Sequence, residues 1–285
     1  MITWIQGEII LVALVTAVTC ALPGIFLVLR GASLMSDALS HSMLPGIVIF
    51  FFITGSLHSP LLLIGACFSG LLTVFIIETI IKTECIKKDA AIGVSFPLFF
   101  SIGVILITVY ARNIHLDTDM VLLGELAFVP FNRLIISGLD CGPLALYLML
   151  IALFFNICFV TLAYKELVLS IFDPDYAVVA GFSPRILYYI LMILVSFTIV
   201  VAFDVVGAIV VVSLMVAPVA SASLITQKLH HLIFLTIILT LSATVMGYTV
   251  AHVYDLSLAG SLAVAQGMLF GGCFVKSLII KWFGY

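Results

Sequence analysis

Charge is what this sequence lacks. Its 11 Lys+Arg and 14 Asp+Glu make up 9% of 285 residues, where an ordinary soluble domain carries roughly one quarter. A water-facing surface cannot be assembled from so few ionised groups. Soluble enzymes, nucleic-acid binders and disordered chains are therefore excluded. The net charge of −3 is too small to steer a charged macromolecule, and no nucleic acid is expected among the partners.

Other absences narrow the field further. Six cysteines, at positions 20, 67, 85, 141, 158 and 273, form no C-x-x-C pair, and most sit in apolar runs, which reads them as small buried hydrophobes. No G-x-x-x-x-G-K-[ST] loop is present to cradle ATP phosphates, and no H-E-x-x-H to hold a protease zinc. No row of Arg inside an apolar run suggests a voltage sensor, and no filter-like loop suggests a channel. Inverted internal repeats, the mark of many secondary transporters, are not evident. Basic residues do not precede the first apolar run, so Met1–Glu8 does not read as a cleavable signal.

What is there is apolar length. Apolar residues make up 64% of the chain and mean hydropathy is +1.39. Nine stretches stand out: Ile9–Leu29, Leu34–Thr54, Leu61–Ile81, Ala90–Tyr110, Pro143–Tyr164, Ile186–Phe203, Val205–Thr226, His231–Ala251 and Leu256–Ile280. Each approaches the ~20 residues that carry a helix across a hydrocarbon core. Continuous rather than alternating apolarity selects helices over a β-barrel. The expected fold is all-α, a polytopic bundle of about nine spans forming one transmembrane domain over residues 1–285. The stretches flanking Asp204 are either a tight hairpin or two half-crossings.

Lys and Arg accumulate on the cytoplasmic side of such proteins. With Lys82–Lys88 inside and the faces alternating, Arg30, Lys82, Lys87, Lys88, Lys165, Arg185, Lys228, Lys276 and Lys281 all fall inside. Only Arg112 and Arg133 fall outside. The N-terminus is then expected outside and the C-terminus in the cytoplasm. Two loops have the length for a function: outer residues Ala111–Gly142, with Asp117, Asp119, Glu125, Asp140 and an apolar piece at Leu122–Phe131, and inner residues Lys165–Arg185.

Within the inner loop, Ser170–Pro184 reads SIFDPDYAVVAGFSP. Asp173 is a good N-cap, Pro174 suits the first helical position, and Asp175 complements the positive end of the helix dipole. Gly181 is a natural stop, with Pro184 beyond it. That encodes a helix of about seven residues, far too short to cross a bilayer. Tyr176, Val179 and Ala180 share one apolar face. Such a face packs either on the chain's own membrane domain or on a partner.

A second signal lies in GASLMSDALSHSMLPG, Gly31–Gly46. Asp37 and His41, at i and i+4, share a helix face, with Ser33 and Ser40 nearby. Ionisable groups inside a span are costly and face a wet cavity or one another. Carboxylate plus imidazole suits Mn²⁺, Fe²⁺ or Zn²⁺, and two copies across a dimer axis would supply four ligands. The alternative is a structural Asp–His hydrogen bond. His115, Asp117 and Asp119 read as a solvated loop. His230, His231, His252 and Asp255 read as boundary residues, and Glu78 and Asp204 lie near span ends. Pro45, Pro97 and Pro218 are candidate kinks. Ala217–Ser223 and Gly267-x-x-x-Gly271 offer thin faces for helix packing.

The chain resembles the membrane permeases of bacterial ABC importers for manganese, zinc and iron. The resemblance is carried by Phe26–Gly46, Asp89–Ile107 (DAAIGVSFPLFFSIGVILI), Phe172–Pro184 and Val205–Ile225 (VVGAIVVVSLMVAPVASASLI), in order over most of the chain. At Asp255–Gly260 it departs from the family's pattern. The resemblance implies an inner-membrane bundle paired with a second copy or a related permease. A cytoplasmic ATP-binding subunit and an extracytoplasmic metal-binding protein would complete the complex. The divalent metal is then the transported substrate, and no cofactor is held permanently. It further implies that Asp37 and His41 hold metal along the path. Phe172, Asp173, Pro174, Asp175, Tyr176, Val179, Ala180 and Gly181 would form the coupling helix that docks on the ATPase. A secondary transporter without an ATPase, and a purely structural membrane subunit, are the rival readings.

Overall fold

A computed structural model describes residues 2–55, 61–110, 126–136 and 139–283. Its long helices are α1 (Ile2–Leu29), α4 (Leu61–Lys82), α5 (Lys88–Tyr110), α6 (Leu144–Leu162), α9 (Pro184–Val206), α10 (Ala208–Ile225), α11 (Leu229–Tyr254) and α12 (Leu258–Phe283). Between α1 and α4, α2 (Leu34–Ser42) and α3 (Leu44–Thr54) follow one another across Met43. Among the described residues, nine segments are long and apolar enough to cross a membrane, α2 and α3 counting as one. The protein is an all-α, multi-pass membrane bundle.

A backbone in hydrocarbon must satisfy its own polar groups. Helices do so internally, and the hydroxyls they carry follow suit. Thr19, Ser40, Thr73, Ser95, Ser221, Thr240 and Thr244 each donate to the carbonyl one turn back. The core runs along α1 (Val12, Ala17, Ile25, Phe26) and α10 (Val211, Leu214, Met215, Val219), all buried. Around it, α5, α6, α11 and α12 turn Ile105, Phe154, Leu162, Phe234 and Val264 outward. A surface this apolar suits lipid rather than water.

The two predicted stretches flanking Asp204 are two helices. The turn lies at Gly207 rather than Asp204, because only Gly207 takes a positive φ of 81°; α9 runs through Asp204 to Val206. Pro45 interrupts its span, standing at the start of α3 where no backbone N–H is required. Pro97 and Pro218 lie within continuous helices. One thin face appears where it was not expected: a Cβ on Gly46 would lie 2.1 Å from the Gly65 carbonyl oxygen, so α3 and α4 meet backbone to backbone. The predicted one at Gly267 and Gly271 meets nothing within 4 Å in this chain.

Three further departures from the sequence reading have local causes. First, α1 begins well before Ile9, because Glu8, the charge that breaks the apolar run, is neutralised by Arg133 at 2.6 Å and accepts from Trp4 Nε1 at 3.1 Å. Second, the expected outer loop contains a 3-10 helix, Leu126–Phe131, and a short antiparallel hairpin, β1 (Arg133–Ile136) with β2 (Leu139–Pro143). Third, most of Lys165–Arg185 is helical rather than a loop with one short helix. After a bend at Ala163 comes α7 (Tyr164–Phe172), with Leu167 and Ser170 buried at i, i+3. Arg112, His115, Asp117, Asp119 and Glu125 lie outside the described residues. The described cysteines are free thiols, and Cys85 alone among them is exposed.

One buried amide ties three helices. Asn156 on α6 donates through Nδ2 to the Thr198 hydroxyl on α9 at 2.9 Å and to the Thr19 carbonyl on α1 at 3.1 Å. Interhelical hydrogen bonds of this kind contribute about 0.6–1.7 kcal/mol in a membrane. Asn156→Leu is expected to lower bundle stability by an amount in that range, read by steric trapping or SDS-titrated unfolding. An unchanged unfolding curve would show that the amide ties nothing.

Candidate functional site

The Asp–His pair is built by α2. Asp37 stands in its first turn and His41 in its last. The i, i+4 spacing brings His41 Nε2 to 3.5 Å from Asp37 Oδ1. Their side chains remain 32% and 45% exposed respectively, while Met35, Ala38 and Leu39 on the same short helix are fully buried. The pair thus faces out of the chain's own core. On the α5 side, His41 meets Phe96 at 5.9 Å and the edge of Phe100 at 5.8 Å between ring centroids. Those rings limit how the imidazole can turn and leave the Asp37 side of it open.

Ser40 does not join the pair. Ser40 is buried, and its hydroxyl donates to the Ser36 carbonyl at 2.9 Å. Ser36 donates in turn to Ser33 O, and Ser42 to Leu39 O. A hydroxyl occupied on the inner face of α2 cannot reach an ion on the outer face. Among the described residues, no group of three or more His, Cys, Asp or Glu side chains converges as a metal cage. Among the described residues, the pair therefore stands as two donor groups, one carboxylate and one imidazole, with no third such side chain beside them.

The short helix is α8, Pro174–Val179. Its N-cap is Asp173, whose Oδ1 accepts from the Tyr176 amide at 2.9 Å. At its other end, Phe182 N donates to Ala177 O and Gly181 N to Val178 O, the paired bonds of a Schellman motif. Gly181 supplies the positive φ of 86° that this motif needs. Ala177 alone is fully buried against the bundle. Phe172, Tyr176 and Val178 are each about 60% exposed and Val179 84%; Asp175 and Ala180 are exposed as well. Apart from Ala177, the apolar side chains of α8 are not covered by the chain's own membrane domain.

Sequence reading passed over what lies between these two elements. Arg30, at the corner between α1 and α2, donates from Nη2 to the Ser170 hydroxyl at 2.8 Å. Its guanidinium stands over the Tyr188 ring, 5.4 Å from the centroid. Arg30, Glu78, Lys82, Ser170, Pro174, Arg185 and Tyr188 line one cavity of about 290 Å³, so the start of α2 and the base of α8 share an end of the bundle. An Arg beside a span end reads from sequence as a topological anchor; nothing local in the chain signals its partner 140 residues away. At the opposite end, His252 Nε2 lies 3.3 Å from Gln6 Nε2, and both line a second cavity with Tyr248 and Asp255.

Nine apolar spans among the described residues, a half-open carboxylate–imidazole pair and a capped short helix with exposed apolar side chains at one end fit a membrane permease. The chain belongs to the ABC 3 transport family, which matches residues 3–277. It is 39% identical over 272 residues to the manganese transport system membrane protein MntD of Bacillus subtilis, covering 95% of this chain and 92% of that one. It is 44% identical over 275 residues to the zinc transport system membrane protein TroD of Treponema pallidum, covering 92% and 71%. Among solved structures, PsaBC from Streptococcus pneumoniae in complex with Fab superposes with a TM-score of 0.77 at 27% identity, over 97% of this chain and 94% of that one.

The cap geometry is open to a direct check. Left-handed backbone costs an L-residue about 1–2 kcal/mol. In Gly181→Ala, amide hydrogen exchange at residues 181 and 182 is therefore expected to quicken about fivefold or more. Unaltered exchange would mean that the Schellman turn does not hold α8.

Proposed function

We propose that this chain is the permease subunit of an ATP-driven importer for a divalent transition metal, manganese, zinc or iron. The single observation that supports the reading most is α8. A side-chain cap at Asp173, a backbone cap at Gly181 and one buried alanine hold a six-residue helix at the bundle surface with Tyr176, Val178 and Val179 exposed. An isolated helix of this length does not persist in water without tertiary support, and this one leaves its apolar side chains for another molecule. A cytoplasmic ATP-binding subunit is the partner assigned to it, since the chain carries no phosphate-binding loop of its own. Relatives named for manganese and for zinc transport support a metal cargo.

In this reading Asp37 and His41 hold the ion on its way through. A monodentate carboxylate and a neutral imidazole bind first-row divalent ions without thiolate softness, which disfavours copper(I). A second permease, identical or related, supplies two more ligands where the α2 faces meet. An extracytoplasmic metal-binding protein delivers the ion at the end marked by Gln6 and His252. The N-terminus lies outside and the C-terminus in the cytoplasm, the orientation in which alternation of the spans along the sequence puts nine of the eleven basic residues inside. Closure of the ATPase pair on nucleotide pushes α8, rocks the bundles, and turns the metal pair from the outer to the inner face.

Two expected outcomes test the assignment. In proteoliposomes holding the assembled complex, Asp37→Ala or His41→Ala should cut metal uptake by at least about tenfold, the loss of one ligand's worth of binding, with the ATPase still bound. Normal uptake in both variants would remove the pair from the path. Val179→Asp puts a charge at the centre of the exposed α8 face, and pull-down of the ATPase should fall sharply while the permease itself remains folded. Full retention of the ATPase would place docking elsewhere.

A further inference from the structure

Arg30 has an unusual set of contacts for a cation at the end of a span. Its guanidinium carries five N–H donors, yet the structure gives it one hydrogen bond, to a neutral hydroxyl, and a stack on Tyr188. Its Nε is buried without a hydrogen-bond partner. Glu78 on α4 exerts its field on both Arg30 and Tyr188, yet no carboxylate lies within ion-pair distance of Arg30 among the described residues. Burial lowers the guanidinium's pKa from its ordinary value, opposed by Tyr188 and Glu78, and an arginine stays charged through such a shift. A fixed anchor would use more of its donors. An open cavity of about 290 Å³ beside the group, lined by Glu78 and Ser170, gives it somewhere to move.

The backbone on either side of Arg30 is tied tightly. Ala32 N donates to Leu27 O and Met35 N to Ala32 O, both at 2.9 Å, so the corner and the start of α2 move as one piece. Lys88 Nζ donates to the Arg30 carbonyl at 3.3 Å. Across the 2.8 Å bond, Ser170 stands three residues before Asp173, whose N–H bonds to Leu169 O and whose side chain caps α8. A push on α8 therefore reaches Asp37, seven residues beyond Arg30, through one side-chain contact and two stiff backbone segments.

We propose that Arg30 is the positioning residue that transmits displacement of α8 to the Asp37–His41 helix, exchanging its hydrogen bond between Ser170 and Glu78 as the bundle rocks. The inference rests on the reading of α8 as the ATPase-docking element. It adds to that reading a named link inside the permease, distinct from both the docking surface and the metal ligands. Arg30 belongs neither to the Asp37–His41 pair nor to α8; its effect is on how far one drives the other.

The test measures ATP hydrolysis and divalent-metal uptake in the same proteoliposomes, with manganese, zinc and iron(II) each offered alone. In Arg30→Gln the ATPase should stay bound and keep hydrolysing, while metal moved per ATP falls by about tenfold, the loss of a charged hydrogen bond. Arg30→Lys keeps the charge without the planar fork and should fall in between. Ser170→Ala removes one hydroxyl from a small side chain and should lower the ratio about threefold. An unchanged ratio in Arg30→Gln overturns the link, as does a fall in uptake that only follows loss of the bound ATPase. Should Arg30→Gln not assemble, Ser170→Ala decides alone, and an unchanged ratio there is equally fatal. If the unmodified complex shows no ATP-dependent uptake of any of the three metals, the functional reading falls and takes the link with it.

Discussion

Hydrocarbon offers no hydrogen bonds, and that constraint governs the rest of this structure. Every polar group placed at membrane depth has to find a partner inside the protein. The hydroxyls of Thr19, Thr73, Ser221, Thr240 and Thr244 fold back on carbonyls of their own helices, and Asn156 divides its amide between two neighbouring helices. Glu8 has Arg133 and Trp4. Against this background three ionisable groups stand out as incompletely satisfied. Asp37 and His41 have only each other at 3.5 Å and remain partly open, and Arg30 has one neutral hydrogen bond. Where a membrane protein leaves ionisable groups underused, function is the usual reason.

The same argument applied to apolar surface explains the two kinds of exposed side chain. Those on α5, α6, α11 and α12 form long belts around the bundle, where lipid covers them. Those on α8 sit on a six-residue helix beyond the span ends, where an apolar surface needs protein. The caps at Asp173 and Gly181 keep that helix in shape without a hydrophobic core of its own. A rigid, exposed, apolar handle joined through Ser170 and Arg30 to the helix carrying the Asp37–His41 pair is an arrangement suited to converting a push into a movement of that pair.

Much of this was legible in the sequence, for reasons of scale. Span count follows from apolar length, the strongest signal a membrane protein carries, and Leu34–Thr54 was bounded correctly even though Pro45 divides it. The cap signals of α8 are local and chemical, so Asp173, Pro174 and Gly181 specify it on their own. What escaped was decided by tertiary pairing. The early start of α1 depends on Arg133, 125 residues away, and α7 is held by burial of Leu167 and Ser170 in a segment too polar to read as a span. Proximity in sequence did not bring the Ser40 hydroxyl to the pair, because a helical hydroxyl one turn from a carbonyl bonds to it first. The partnership of Arg30 with Ser170 and Tyr188 joins segments about 140 and 158 residues apart and leaves no local trace.

The account stands or falls on whether metal movement is driven from the α8 side. The most direct measurement is accumulation of radiolabelled metal in proteoliposomes containing this chain with its candidate ATPase and binding protein, with the ATPase or the nucleotide omitted in turn. Accumulation against a gradient that requires both is the expected result. Accumulation that continues without the ATPase and follows an imposed proton gradient would contradict the account and make the chain a secondary transporter.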